Sequence, residues 1–400
     1  MKIRPVCGRP RIEETQPDLL KTICDIALHG SAAQEKRHDE SIRSVKTLDE
    51  LTAALNSKGF RISRTATYLR LLPRRVNSME GKRHVKTIPV KLLRASNAKH
   101  NDHQDGKFCT ASIRALESVA SVLGPDEVAF LSQDDKARVV IGLSAATKQS
   151  PLLMHVEYKV SLPDHDWVVA NKHKLIPSVY ACIDIKRNGI GKPEAVGYSG
   201  PTYVAIRSGK HASSTAYSHA IDINRLLEID AFDEFLKFGG FVKPVLIIVV
   251  DGGPHENPRY KKVIQTAIHH FKEHNLDALF IATNAPGRSA FNRVERRMAP
   301  LSRELAGLIL PHDHFGSHLD TQLRTTDLEL EKKNFKYAGE TLADVWNQLI
   351  VDDYPTVAEY IDPEVSEIDA DLLHKFDANW VTEHVRTSQY LLQIVKCSDL

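Results

Sequence analysis

The stretch "VLIIVVDGGPHENPR" (245–259) joins six apolar residues, all β-branched except Leu246, to an aspartate, two glycines and a proline. So apolar a run predicts a strand buried on both faces, in a parallel or mixed sheet with helices on either side. Asp251 is then the first residue out of the strand, with a Gly-Gly turn behind it. Asp and Gly are ordinary strand-ending residues. In open α/β sheets, however, ligand and metal chemistry gathers at the carboxyl ends of strands. The choice between a plain turn and a site depends on what the rest of the chain brings to that edge.

From about residue 124, strands and helices alternate around this segment. "DEVAFLSQDDKARVVIGLS" (126–144) predicts a strand, an acidic turn at Asp134-Asp135 and a second strand. Residues 146–200 are irregular and proline-bearing, like an insertion, and "TYVAIRSG" (202–209) makes a third strand. Then come a helix over 222–239, the strand ending at Asp251, and a helix over 257–273. "LDALFIAT" (276–283) is a further strand, and a last helix begins at Ser289. Three strands followed by helix, strand, helix, strand, helix is the order of an RNase H-like α/β domain, a mixed sheet flanked by helices. That architecture puts one carboxylate on the first strand, one after the fourth and one on the last helix. The candidates are Asp134 or Asp135, then Asp251, then Glu295, expected two turns into "SAFNRVERRMAPLSREL" (289–305). Successive strand residues face opposite ways, so only one of the Asp134/Asp135 pair should meet the others. Asp134 is favoured as the first carboxylate after the apolar run, and Asp184, in "VYACIDI" (179–185), competes. Two Mg²⁺ (or Mn²⁺) ions about 4 Å apart, the arrangement used for phosphodiester chemistry, need such carboxylates.

Composition bounds the partner. The chain has 42% hydrophobic and 26% charged residues and no apolar stretch long enough to span a bilayer. The opening "MKIRPVCGRPRIEE" lacks the apolar core of a secretory signal, and the five scattered cysteines make no CxxC pair. An intracellular location is expected, the nucleus in a eukaryote. The net charge of +2 hides a polarity: residues 1–100 carry 21 Lys and Arg against 10 Asp and Glu, residues 320–400 carry 7 against 17. A basic amino-terminal third suits double-stranded DNA, whose phosphates supply most non-specific affinity. Within it, "KTLDELTAALNSKGFRISRTATYLRLLPRR" (46–75) has a capping-box spacing at Thr47 and Glu50, Gly59 as a helix stop and Ser63 as a second N-cap. That is the punctuation of a helix-turn-helix. A second helix of this kind reads DNA with its first turns. The residues expected at DNA are Arg61, Arg64, Thr65, Thr67, Tyr68 and Arg70, with Arg74 and Arg75 and the basic arm 81–91 trailing behind. The Gly-Arg-Pro of "CGRPRI" (7–12) is thin support.

"VVDGGPHENPR" resembles the second-aspartate segment of retroviral-type integrases and DDE transposases. "NAPGRSAFNRVERRMAPLSREL" (284–305) is similar to their final-helix segment, and "FLSQDDKARVVIG" (130–142) to the first-aspartate hairpin of a group of eukaryotic DNA transposases. The 44 residues from Asp251 to Glu295 exceed the usual retroviral spacing and point to the transposase branch. The resemblance covers about residues 124–320. It implies a metal-dependent polynucleotidyl transferase that binds element ends as a homo-oligomer on DNA, then cuts and joins strands. The resemblance makes Asp251, Glu295 and, by preference over Asp135, Asp134 the expected metal ligands. A domesticated, catalytically silent DNA-binding relative and an RNase H-type nuclease without joining activity are the alternatives. The arginines beside Glu295, Arg296 and Arg303 nearest among them, would grip the DNA backbone.

Other features carry less. His312, His314 and His318 in "LPHDHFGSHLD" (310–320) read as loop histidines closing the domain, because zinc sites favour cysteines or regular helical His spacing. "GKHASSTAYSH" (209–219) lacks the strand-Ser-helix elbow of a nucleophilic serine. The expected domains are a DNA-binding region over 1–95, a catalytic domain over 120–320 and an acidic helical appendage over 321–400. The appendage is read from the amphipathic "TLADVWNQLI" and "VTEHVRTSQYLLQIVK".

Overall fold

A computed structural model describes residues 12–28, 42–44, 48–71, 90–92, 103–143, 145, 169–288, 291–306, 308–363 and 378–396. The chain divides into two units, Met1–Arg94 and Ala95–Leu400.

In the first unit, helices α1 (Leu19–Leu28), α2 (Leu48–Ser57) and α3 (Arg64–Leu71) share a core of Leu19, Ile23, Ile26, Leu51, Leu55 and Ile62. Gly59, at φ +91°, turns the chain after α2, and the amide of Phe60 donates to Leu55 O at 3.1 Å. A left-handed residue just past a helix end is the usual place for glycine. Ser63 Oγ accepts the Ala66 amide at 3.2 Å and caps α3. Thr47, Arg74, Arg75, the Gly-Arg-Pro segment and nearly all of the basic arm lie outside the described residues.

In the second unit, seven strands lie in one mixed sheet: β1 (Val128–Asp135), β2 (Lys174–Cys182), β3 (Thr202–Ser208), β4 (Val245–Val250), β5 (Ala278–Thr283), β6 (Tyr354–Tyr360) and β7 (Leu391–Val395). Their spatial order is β6-β3-β2-β1-β4-β5-β7, with short pieces at the two edges and Val139–Val140 beside β2. β1, β2 and β3 pair antiparallel, while β4 runs parallel between β1 and β5. Every residue of Val245–Val250 is buried, as its composition demanded. Helices α4 (Gly106–Leu123), α5 (Ala216–Glu228), α6 (Lys261–Glu273), α7 (Glu295–Glu304) and α8 (Leu328–Asn347) complete the unit. Ala129 and Leu131 of β1, Leu246 and Ile248 of β4, Ile223 of α5 and Phe271 of α6 belong to one apolar core. This mixed α/β arrangement is consistent with an RNase H-like fold. Among the described residues no helix is long and apolar enough to cross a membrane.

Three expectations need correction. Residues 174–182, placed in an insertion, form the long second strand of the sheet, because β2 supplies the antiparallel partner that β1 needs. Residues 146–168 of that segment lie outside the described residues. The carboxyl region is not a separate helical appendage. α8 is helical and docks by Trp346, whose Nε1 donates to Leu301 O at 3.1 Å, but β6 pairs parallel with β3 and β7 pairs antiparallel with β5. "LLQIV" becomes a strand because the open edge of β5 gives its amides and carbonyls partners; five residues of which four are apolar cannot be told from a helix segment by periodicity alone. Finally, Glu295 is the first residue of α7, not two turns in, since residues 291–294 form turns before the helix.

Leu392 and Ile394 of β7 are fully buried. Leu392→Ala should therefore cost about 2–5 kcal/mol, the usual range for a buried leucine. Urea denaturation followed by far-UV circular dichroism measures it; an unchanged midpoint would restore the independent appendage.

Candidate active site

Parallel pairing of β1 and β4 brings Asp134 and Asp251 to the same edge of the sheet, since Ser132 lies opposite Val249. Alternation along β1 sorts the rest. Ser132 Oγ donates to Asn292 Oδ1 at 2.5 Å and accepts the Val294 amide at 2.9 Å, while Asn292 Nδ2 donates to Gln133 O at 3.0 Å. These bonds pin the start of α7 to the end of β1, so Glu295 begins its helix on the face that Ser132 and Asp134 share. Asp134 accordingly lies in the field of Asp251, Glu295 and Asp135, and burial followed by those charges pushes its carboxyl up to about 8. Burial and Asp251 raise Glu295 as well, with the Lys136 ammonium opposing.

Gln133 and Asp135 face the other way. Gln133 Nε2 donates to Glu256 Oε1 at 3.2 Å, and Asp135 accepts Ser178 Oγ at 2.6 Å. Behind them runs a buried polar chain. Arg207 donates to Ser178 Oγ at 3.2 Å and to Asp222, and Tyr180 Oη donates to Asp222 Oδ2 at 2.5 Å. The tyrosine proton is thus committed to Asp222, so His219 Nδ1, at 2.6 Å from Tyr180 Oη, must be the donor there. His219 Nε2 is left to accept Ser214 Oγ at 3.0 Å and points toward Glu256 Oε1 at 3.7 Å and Asp135 Oδ1 at 4.0 Å.

Asp184 is removed from this edge by topology. It follows β2, which runs antiparallel to β1, and the Ile183 amide beside it bonds Phe130 O near the opposite end of β1. The Asp251 turn needs its first glycine: Gly252 sits at φ +93°, and a Cβ there would come within 2.3 Å of Thr283 Oγ1.

The arginines around Glu295 divide. Arg293 and Arg297 are buried, contrary to a DNA-gripping face. Arg293 donates to Glu117 at 2.6 Å and to Gly197 O at 2.9 Å, and Arg297 donates to Tyr198 O at 2.5 Å. They anchor the helix to the loop before β3 and to α4. Arg296 stacks 3.5 Å over the Tyr198 ring and Arg303 pairs with Glu304 at 2.8 Å, both partly exposed. In the first unit, Thr67 and Arg70 are likewise corrected. Thr67 is fully buried and bonds Ser63 O at 3.1 Å, and Arg70 is buried against Glu13 at 2.9 Å. Residues 67 and 70 share one stripe of α3, and that stripe faces the unit's interior. Arg61, Arg64, Thr65 and Tyr68 are exposed, with Arg64 paired to Asp49 at 2.6 Å.

Sequence reasoning missed Glu256 and His219. Glu256 is buried five residues past Asp251, and burial with Asp134 and Asp135 raises its carboxyl well above the usual range. His255 beside it is exposed. "PHEN" read as a turn offered no sign that its glutamate turns inward.

No family model matches this chain, and no curated protein matches it. Among solved structures, the crystal structure of the Mos1 mariner paired end complex with Mn covers 86% of this chain and 82% of that chain, at 13% identity and a TM-score of 0.35. The crystal structure of a pre-cleavage Mos1 transpososome covers 88% and 82%, at 12% identity and a TM-score of 0.34. Likeness at this level does not decide the fold, which rests on the strand order above.

A small cavity beside the site is lined by Gln133, His219, Glu256 and His270 among apolar side chains. His270, on α6, is buried with neither ring nitrogen hydrogen-bonded, and burial, then His274 and His269, depress it to about 3. Its unfolded value is near 6.5. A depressed folded pKa gives stability that is complete above the unfolded value and lost as pH falls toward the folded one. The loss through His270 should therefore begin below about pH 6.5 and reach about 2 kcal/mol at pH 5. His270→Leu should flatten the acid limb of stability against pH by up to one proton; equal limbs in the two proteins would refute the buried neutral imidazole.

Proposed function

We propose that this chain is a metal-dependent DNA-processing enzyme of the DDE transposase type, a polynucleotidyl transferase that cleaves and joins DNA strands. The observation carrying this reading is the gathering of Asp134, Asp251 and Glu295 on one face at one edge of the sheet, each from a different element, with Asp134 and Glu295 in the field of Asp251. Like charges collected in a partly desolvated place oppose folding unless cations or protons balance them. The donors are all carboxylate oxygen, which fits Mg²⁺ or Mn²⁺. Asp134, Asp251 and Glu295 would hold two such ions, whose chemistry is activation of the attacking water or 3′-hydroxyl and stabilisation of the leaving oxygen.

The chain's own residues supply the positioning. Ser132 and Asn292 fix the first turn of α7, and Gly252 lets the chain turn directly behind Asp251. Arg296 follows Glu295 directly and Arg303 lies about two turns further along α7, both partly exposed where a DNA backbone could pass. In the first unit, Arg61, Arg64, Thr65 and Tyr68 make the DNA-facing side of α3, and Thr67 and Arg70 hold that helix in place. Arg74 and Arg75 extend the basic stretch in sequence. Double-stranded DNA is the partner that this basic third suits.

Asp251→Asn tests the reading. It keeps shape and removes charge, so the fold should lose little and thermal stability should hold or rise slightly. Mg²⁺-dependent nicking and strand transfer on end-containing DNA should fall together by orders of magnitude. DNA binding, carried by the first unit, should persist. Asp135→Asn should leave measurable cleavage, since Asp135 faces Ser178 and His219. Cleavage by Asp251→Asn equal to wild type would contradict the metal role; cleavage by neither protein would favour a DNA-binding relative without catalysis.

A further inference from the structure

A second cluster, at the same end of the sheet but built from other residues, joins three distant parts of the second unit. His173 stands one residue before β2, His318 lies in the loop after α7, and Glu331 is in the first turn of α8. All three are fully buried. His173 Nε2 is 2.9 Å from His318 Nε2, and Glu331 Oε2 is 3.7 Å from the first and 3.6 Å from the second. The circle through these atoms has a radius of about 2.0 Å, the length of a Zn–N or Zn–O bond. A cation at its centre would lie within bonding distance of all three; the two rings meet end-on, with centroids 5.2 Å apart and planes within 2°, so each would swing to aim its Nε2 lone pair at the ion, leaving a fourth position open.

We propose that His173, His318 and Glu331 form a zinc site that ties β2, the loop after α7 and α8 together. Two imidazoles and a carboxylate are a zinc donor set. The surroundings orient two of them. His173 Nδ1 lies 3.2 Å from Asn171 O, so the Nδ1–H tautomer leaves Nε2 free to ligate. Glu331 Oε1 takes His211 Nε2 at 2.8 Å, and Glu331 Oε2 takes Lys210 Nζ at 2.6 Å and Thr325 Oγ1 at 2.5 Å.

The competing occupant is a proton. Asn334 Nδ2 lies 3.0 Å from His318 Nδ1, an arrangement that leaves the proton on His318 Nε2 and donates it to His173 Nε2. Zinc would move that proton to Nδ1. Asn334 would turn its amide and give up its bonds to the Phe315 amide and Gly316 O. It would also draw Glu331 Oε2 partly away from Lys210 and Thr325. The bonds given up, of which the charge-assisted Lys210–Glu331 pair is the strongest, are individually weaker than metal coordination, so zinc at working concentration should win. By sequence pattern His312, His314 and His318 read as loop histidines; of these only His318 belongs to the set, because His173 and Glu331 are brought to it by the sheet and by α8.

The test uses the full chain without a histidine tag, dialysed against excess Mg²⁺ so that oxygen-only sites hold magnesium. Elemental mass spectrometry should find one zinc per chain. Cobalt replacement should give the intense visible absorption of a low-coordinate site. His173→Gln and His318→Gln, each checked for folding by circular dichroism, should retain at least tenfold less zinc. Should either variant fail to fold, the wild type decides by itself: its melting temperature should fall with a strong chelator and rise again with added zinc. Folded wild-type protein that carries no zinc and melts at the same temperature with zinc or chelator overturns the proposal. None of these readouts involves DNA cleavage, so their failure is separate from failure of the transposase reading.

Discussion

A β-strand sends successive side chains to opposite faces, and in β1 that one rule separates two chemistries. Ser132 and Asp134 meet the segment leading into α7, while Gln133 and Asp135 meet Glu256, Ser178 and His219. A shift of one residue in the pairing of β1 would exchange these sets and put Asp134 into the buried polar chain of Tyr180, Asp222 and Arg207. The register is held from both sides, by β2 and by β4. The position of the acidic edge follows from that register, and so does the identity of its first member.

The second requirement is a helix delivered to the right place. The hydroxyl of Ser132 and the amide of Asn292 are buried and spend their bonds on each other and on backbone groups. Buried polar groups left unpaired cost about 1–3 kcal/mol each, so this clasp has one good arrangement. Arg293 and Arg297, tied to loop carbonyls and to Glu117, hold the other side of the same turn. What the arrangement gives up is electrostatic. Burial first, and then the charges of Asp251, Glu295 and Asp135, push the Asp134 carboxyl up to about 8, toward its protonated form. On the reading proposed above, cations answer that repulsion.

The Asp251 segment was legible because it is local: an apolar run, a carboxylate, a glycine that must turn. For the first carboxylate, strand order offered Asp134 or Asp135, and the register of β1 separates their surroundings. What was not legible depends on partners far along the chain. Arg70 looks like a DNA contact until Glu13, 57 positions earlier, is folded against it. Arg293 and Arg297 look like a solvent-facing basic patch until the loop at 196–198 offers its carbonyls. "LLQIV" reads as part of an amphipathic helix until β5 presents an open edge. The His173 and Glu331 side chains carry no spacing signal at all, since only the sheet and α8 bring them to His318. Glu295 fell at the first turn of its helix because turns precede it at 291–294, where helical periodicity is no guide.

Anomalous diffraction from crystals soaked in Mn²⁺ tests the central claim most directly. The account predicts manganese density bounded by the carboxylates of Asp134, Asp251 and Glu295, with Asp135 turned away toward Ser178. Density held instead by Asp135 and Glu256 on the opposite face of β1, or none at this edge at saturating Mn²⁺, would contradict it.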